Sequence, residues 1–118
     1  MHLIPTDRRH RRVLDEHAVC DALAGLPDDQ TVRERAAVFA AMGDPNRLTL
    51  LLCMHTVPDI SVTDLAVAAN MNDSTVSQAL RLLRSAGLIG DRRDGRVIRY
   101  RVTDTRLDAL LRNVSAGR

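Results

Sequence analysis

Apolar residues return every three or four positions along most of this chain, with short polar breaks between the repeats. This spacing is typical of helices that bury one face. It predicts six helices, over residues 13–23, 29–42, 45–56, 62–69, 74–86 and 104–114. Asp44 before Pro45, and Ser61 three residues before Asp64, are typical helix start signals, and Gly87 is a typical stop. The chain is therefore expected to be mostly α-helical.

After Gly87 the apolar period changes from helical to alternating. Residues 88–93 and 96–102 alternate, and Asp94-Gly95 lies between them. This pattern predicts a β-hairpin. We expect Val97 or Ile98 to face the core together with Tyr100 and Val102, and the arginines of the hairpin to face solvent.

The predicted helix at 74–86 has one apolar and one polar face. Its apolar stripe consists of Val76, Leu80, Leu83 and Ala86. The opposite face carries polar and basic side chains, namely Ser74, Thr75, Ser77, Gln78, Arg81 and Arg84. Two short helices joined by a tight turn, followed by a basic hairpin, predict a winged helix-turn-helix.

Such a fold suits double-stranded operator DNA. The second helix fits the major groove, and hairpin arginines reach phosphates or the minor groove. We expect the hairpin contacts from Arg92, Arg93 and Arg96. The alternative is that the arginines form only a solvated charged face.

Composition and charge agree with one small nucleic-acid-binding domain. The chain has 118 residues, 45% of them hydrophobic, and all 17 of its basic residues are arginine. Seven arginines lie between Arg81 and Arg101, which concentrates positive charge on one part of the fold. Residues 1–12 lack periodicity and are expected to form a flexible arm, and residues 13–118 a single domain that includes dimerisation helices.

Several classes of function are not favoured by the sequence. No apolar run approaches the roughly 18 to 20 residues of a membrane span, and the first residues are charged, so a cytoplasmic protein without a membrane partner is expected. We find no phosphate-binding glycine loop and no hydrolase motif, so an enzyme is not expected. The chain has two cysteines, Cys20 and Cys53, which are too few for a disulfide scaffold. They are therefore expected to be free thiols, metal ligands or a redox pair.

Five segments in order resemble the ArsR/SmtB family of bacterial metal-responsive transcriptional regulators. They are residues 43–48 (GDPNRL), 62–66 (VTDLA), 74–84 (STVSQALRLLR), 87–89 (GLI) and 94–100 (DGRVIRY). The resemblance covers about Arg35 to Leu111. It implies a homodimer whose first and last helices pair, two recognition helices on a palindromic operator, and an effector that usually releases the DNA. Gln78-Ala79 stands where the family more often has His-Gln or His-His, so its base preference does not transfer.

The last predicted helix carries the stripe Leu107, Leu110 and Leu111. Pairing with its copy across a two-fold axis would bury this stripe and form an α-helical dimer interface. The alternative is that the stripe packs within its own protomer.

Both metal-binding motifs of the family are altered in this chain. The first reads Ser61-Val62-Thr63-Asp64, with Ser61 in place of cysteine, and the second reads Asp104-Thr105-Arg106, with Arg106 in place of histidine. Serine is a poor ligand for soft metals and arginine cannot be a ligand.

Other side chains remain as candidate ligands for a divalent metal effector of the zinc, nickel or cadmium type. They are His17, Cys20, Cys53, His55 and Asp64. His2, with the terminal amine and with His10, is an alternative nickel-type site. Two further hypotheses stay open: a redox or sulfide response through Cys20 and Cys53, and a DNA-binding module or dimeric interaction domain without an effector. Cys53 in a leucine-rich helix is also a typical small core residue.

Overall fold

The computed structural model describes residues 4–115 and divides into two compact units between Arg33 and Glu34. The first unit contains a 3-10 turn, Thr6–Arg8, and helix α1, Glu16–Ala24. Helix α1 has no buried residue and starts later than predicted, because the side chain of Asp15 accepts a hydrogen bond from the Ala18 amide and caps it. The boundary between arm and domain at residues 12 and 13 stays a prediction.

Helix α2, Asp29–Met42, starts in the first unit and ends in the second. The second unit then continues through α3 (Pro45–Thr56), β1 (Ile60–Ser61), α4 (Val62–Ala69), α5 (Asp73–Ser85), β2 (Ile89–Asp94), β3 (Val97–Val102) and α6 (Thr105–Ser115). Every predicted helix and the hairpin are present. Within residues 4–115, no helix combines the length and the apolar character needed to cross a bilayer.

Side-chain caps fix where the central helices begin. Asp44 Oδ2 accepts from the Arg47 amide at 3.0 Å, and Ser61 Oγ accepts from the Asp64 amide at 3.1 Å. Asn72 caps α5, accepting from the Thr75 amide at 2.8 Å. The caps place α4 and α5 at a tight turn, which Asn70 enters at φ +54°.

The core of the second unit is aliphatic. The side chains with no exposed surface are Leu50, Leu51, Leu65, Leu83, Leu107 and Leu111. On α4, Leu65 and Ala66 are buried; the sequence pattern also predicts Val67 and Ala68 on the inner face of this helix, which was wrong, because Val67 is 77% exposed and Ala68 is also exposed. Ala86 is exposed as well, because α5 ends at Ser85.

The three leucines of the α6 stripe differ in burial. Leu107 and Leu111 are fully buried within the single chain, where α6 packs against α3. The expectation that a second copy buries the whole stripe was therefore wrong for these two side chains. Leu110 is only half-buried and lies on a different side of the helix.

The wing consists of β2 and β3, which form a three-stranded antiparallel sheet with β1 in the order β1-β3-β2. Asp94 pairs with Val97, so the two-residue turn is Gly95-Arg96, one position later than predicted, with Gly95 at φ +63°. Ile98 is half-buried whereas Val97 is exposed, so Ile98 is the residue that faces the core. Strand β1 was not predicted, because two residues are too few to show an alternating pattern.

Candidate nucleic-acid interface and effector residues

Helix α5 presents a polar, basic surface that its buried side fixes in place. Val76, Ala79, Leu80 and Leu83 are buried in the core. The opposite surface, called here the recognition face, consists of Ser74, Thr75, Ser77, Gln78, Arg81 and Arg84. All of these side chains are exposed except Thr75, which is half-buried. The recognition face is free to contact another molecule.

Carboxylates hold three of the arginines of this region. Arg84 Nη1 lies 3.1 Å from Asp91 Oδ2, and Arg99 Nε donates to Asp94 Oδ2 at 3.0 Å. Arg92 Nε lies 3.5 Å from an Asp59 carboxylate oxygen. These guanidinium groups already have anionic partners in the protein.

Four other arginines of this region have no such partner among the described residues, namely Arg81, Arg93, Arg96 and Arg101. All four are exposed. Arg96 occupies the turn of the wing and Arg93 the end of β2, while Arg81 lies on α5. A planar guanidinium without a carboxylate is suited to a phosphate oxygen. These positions form a surface for a polyanion.

The candidate metal ligands are spread over several elements. His17 and Cys20 lie in α1, Cys53 and His55 in α3, and Asp64 is exposed in the first turn of α4. In the described part of the chain, no three His, Cys, Asp or Glu side chains are placed to hold one metal ion. The five candidate ligands stay a prediction. His10 is exposed, and His2 lies outside the described residues.

Burial affects the chemistry of Cys53. Desolvation raises the pKa of the Cys53 thiol above its ordinary value, because the charged thiolate loses contact with water. Since the thiolate is both the metal ligand and the nucleophile, a metal or an oxidant must overcome this preference for the protonated form. Both Cys53 and Cys20 are free thiols and half-buried.

His55 has a close carboxylate partner that sequence reasoning missed. Its Nδ1 lies 2.6 Å from Asp108 Oδ1, which joins α3 to α6. The His55 side chain is 15% exposed and that of Asp108 is 41% exposed. When Nδ1 carries the proton toward the carboxylate, Nε2 keeps its lone pair, an arrangement common for metal-ligating histidines. Asp108 is 53 residues away along the chain, so no local pattern indicates it.

An apolar groove lies between α6 and the second half of α2. Its volume is about 550 Å³, and most of its exposed surface is apolar. Its lining consists of the apolar Val38, Phe39, Ala109 and Leu110 and the polar or charged Glu34, Arg35, Asp104, Arg106 and Asn113. Phe39 is 59% exposed, a large apolar side chain in contact with solvent. The groove lies beside α6, the last helix, which was predicted to take part in the dimer interface.

Helix α4, the turn, helix α5 and the β2-β3 wing together define a winged helix-turn-helix regulator of transcription. A family model described as the MarR family matches residues 44–97, somewhat less than half of the chain, from the cap of α3 to the first residue of β3. Curated relatives cover more of the chain.

The HTH-type transcriptional regulator NmtR of Mycobacterium tuberculosis is 40% identical over 84 residues, 71% of this chain and 69% of that protein. The transcriptional repressor SmtB homolog of Synechocystis is 37% identical over 70% of this chain and 62% of its own length. The homodimeric winged helix-turn-helix DNA-binding domain Mb0332 of Mycobacterium bovis superposes with a TM-score of 0.64 at 30% identity, over 77% of this chain and 85% of that one. The chain belongs to the ArsR/SmtB family of winged helix-turn-helix transcriptional regulators.

Proposed function

We propose that this protein is a homodimeric repressor that reads operator DNA with the recognition face of α5 and contacts the DNA backbone with the wing. The observation that carries the proposal is the exposure of Gln78, Arg81, Arg93 and Arg96 on one polar, basic region without carboxylate partners. Polar side chains on a helix of this kind read base edges, and arginines of a wing bind phosphate.

Selection of binding sites from a random duplex library tests this function. The expected result is enrichment of a palindrome whose half-sites lie about one helical turn apart, because two α5 helices related by a two-fold axis enter successive major grooves. Failure of the wild-type protein to enrich any sequence would contradict operator recognition.

A second copy of the chain is the proposed occupant of the α2-α6 groove. The exposed Phe39 and the half-buried Leu110 supply apolar surface that a copy of the same groove would cover. The homodimeric state of the Mb0332 domain, which is 30% identical, supports the proposal.

For the effector, we propose a divalent metal ion of the zinc, nickel or cadmium type. Cys53 and His55 on α3 are the supporting residues, and the contact of His55 Nδ1 with Asp108 leaves Nε2 as the ligand atom. The remaining ligands come from His17, Cys20, Asp64 or His2 of the same or the second protomer. Metal binding biases DNA affinity only to the extent that the metal prefers one conformation of the dimer.

Metal titration with an operator-binding readout tests the effector. We expect zinc, cadmium or nickel to change operator affinity in the wild type and not in a Cys20→Ser, Cys53→Ser double variant. Binding should weaken as pH falls, because the Cys53 thiol, whose pKa burial raises, must lose its proton to the solvent when it binds metal.

The double variant also separates the competing effectors. An equal response to metal in both proteins would contradict a cysteine site and favour the His2 end. No response to metal, together with an oxidant effect in the wild type alone, would identify the two cysteines as a redox pair.

A further inference from the structure

Side chains of the wing alternate between two faces of its sheet. Asp91 and Arg93 share one face of β2, since they are two residues apart, and Arg92 lies on the other face. Asp91 forms its ion pair with Arg84 of α5, so the face of Asp91 and Arg93 is the one toward the recognition helix. Ile98, the cross-strand neighbour of Arg93, lines a cavity together with Arg81 and Arg84, which agrees with this assignment. Arg92 thus lies on the face turned away from α5.

Arg92 on that far face is directly opposite another arginine. The register pairs Arg92 of β2 with Arg99 of β3. Like charges at directly opposed positions destabilise a sheet unless something compensates them. The wing therefore needs an acceptor on this face.

Asp59 supplies that acceptor with both its side chain and its backbone. A carboxylate oxygen of Asp59 lies 3.5 Å from Arg92 Nε, and its carbonyl oxygen accepts from Arg99 Nη1 at 3.2 Å. Asp94 adds a carboxylate, whose Oδ2 accepts from Arg99 Nε at 3.0 Å. Both arginines are thereby engaged within the protein.

The backbone holds Asp59 in this position. Its φ is +62°, in the left-handed region that aspartate and asparagine tolerate better than most residues. The next two residues form β1, in which Ile60 pairs with Tyr100 and Ser61 with Arg99. Pairing with β3 thus fixes Asp59 at the base of the wing.

We propose that Asp59 is a positioning residue that keeps Arg92 bound to the protein while DNA is bound, so that the phosphate contacts of the wing come from Arg93 and Arg96. This inference rests on the proposed function of DNA binding. It assigns Arg92 to the support of the sheet, although the sequence alone groups it with the phosphate contacts.

The salt dependence of binding to a random-sequence duplex tests the proposal, because each phosphate contact contributes about one unit to the slope of log affinity against log salt. Arg93→Ala should reduce the slope by about one unit, whereas Arg92→Ala should leave it unchanged. Asp59→Asn keeps the shape and the left-handed backbone but removes the charge, and it should steepen the slope by about one unit as Arg92 becomes available. Adding Arg92→Ala to Asp59→Asn should restore the wild-type slope.

Asp59→Gly is the matched control, since glycine adopts a positive φ without strain. It should give the same slope as Asp59→Asn, and circular dichroism should show that both variants keep the wild-type helical content. If Arg92→Ala reduces the salt slope as much as Arg93→Ala does, the proposed role of Asp59 is wrong, whereas the proposed function of DNA binding stands. A wild-type chain that binds no duplex would overturn the proposed function and this inference together.

Discussion

Individual side chains on the recognition face differ in what they can read. Gln78 is exposed and can donate and accept through one amide, which is the chemistry that pairs with the two groups on an adenine edge. Arg81, in contrast, carries a charge that binds any phosphate. Gln78 is thus expected to contribute more to the discrimination between DNA sequences than to the overall affinity for DNA.

Replacement of Gln78 by alanine should lower the discrimination between the selected operator and random duplex by about 1 to 3 kcal/mol, since a bidentate base contact is lost. Affinity for random duplex, the internal control, should stay the same. Competition binding at fixed salt measures both quantities. Unchanged discrimination would remove Gln78 from the residues that read bases.

For single residues, the sequence predicts roles that follow from the spacing of side chains within one helix or strand. It does not predict roles that depend on contacts between residues far apart in the chain. The recognition face follows from helical spacing within one segment, and five of its six side chains are exposed as expected. Asp59 and Asp108 could not be found in this way, because their partners Arg99 and His55 are 40 and 53 residues away.

Helix α6 performs two tasks with neighbouring leucines. Leu111 is fully buried against the core, while Leu110 lines the open groove beside α2. A single helix can do this because residues one position apart point about 100° away from each other. The sequence shows three apolar positions on this helix but not which partner each one packs against.

Leu111→Ala should reduce the free energy of unfolding by about 2 to 5 kcal/mol, because it leaves a cavity in a closed core. Leu110→Ala, the matched control, should cost the protomer much less and should instead weaken self-association, since the groove loses apolar area. Denaturant unfolding and sedimentation equilibrium measure the two effects. If Leu110→Ala leaves the dimer intact, a second copy does not occupy the groove.

Across the whole molecule, the structure completes its principal core within one chain. Among the described residues, the fully buried side chains run from Leu50 to Leu111, and all of them belong to the second unit. Many homodimers have no stable folded monomer, because their core is shared between subunits. Here the buried leucines do not depend on a second copy.

The protomer should therefore stay folded when the dimer dissociates. Over a dilution series, far-UV circular dichroism should keep its helical signal while light scattering or a fluorescence-based association assay reports monomers. Loss of helical signal in step with dissociation would instead mean that α6 and α2 need the partner in order to fold.

The fold class was predictable from the sequence, because helical and alternating apolar patterns occur in a distinctive order along the chain. That the core closes within one protomer was not predictable, because a local apolar pattern does not show which elements pack together.

The two residues of β1 have a consequence for how the wing moves. Strands β2 and β3 are neighbours in the chain and close through a two-residue turn, whereas β1 is joined to β3 by only two cross-strand pairs and is separated from it along the chain by α4, α5 and β2. Short, non-local pairings of this kind open at a lower free energy than a core does. Amide hydrogens on β1 should therefore exchange before those of the hairpin. We therefore expect the exposed tip of the hairpin, residues 91–97, to move relative to the helical core more readily than the buried side of α5 does, so that a DNA-bound protein would have one adjustable contact beside a rigid reading helix.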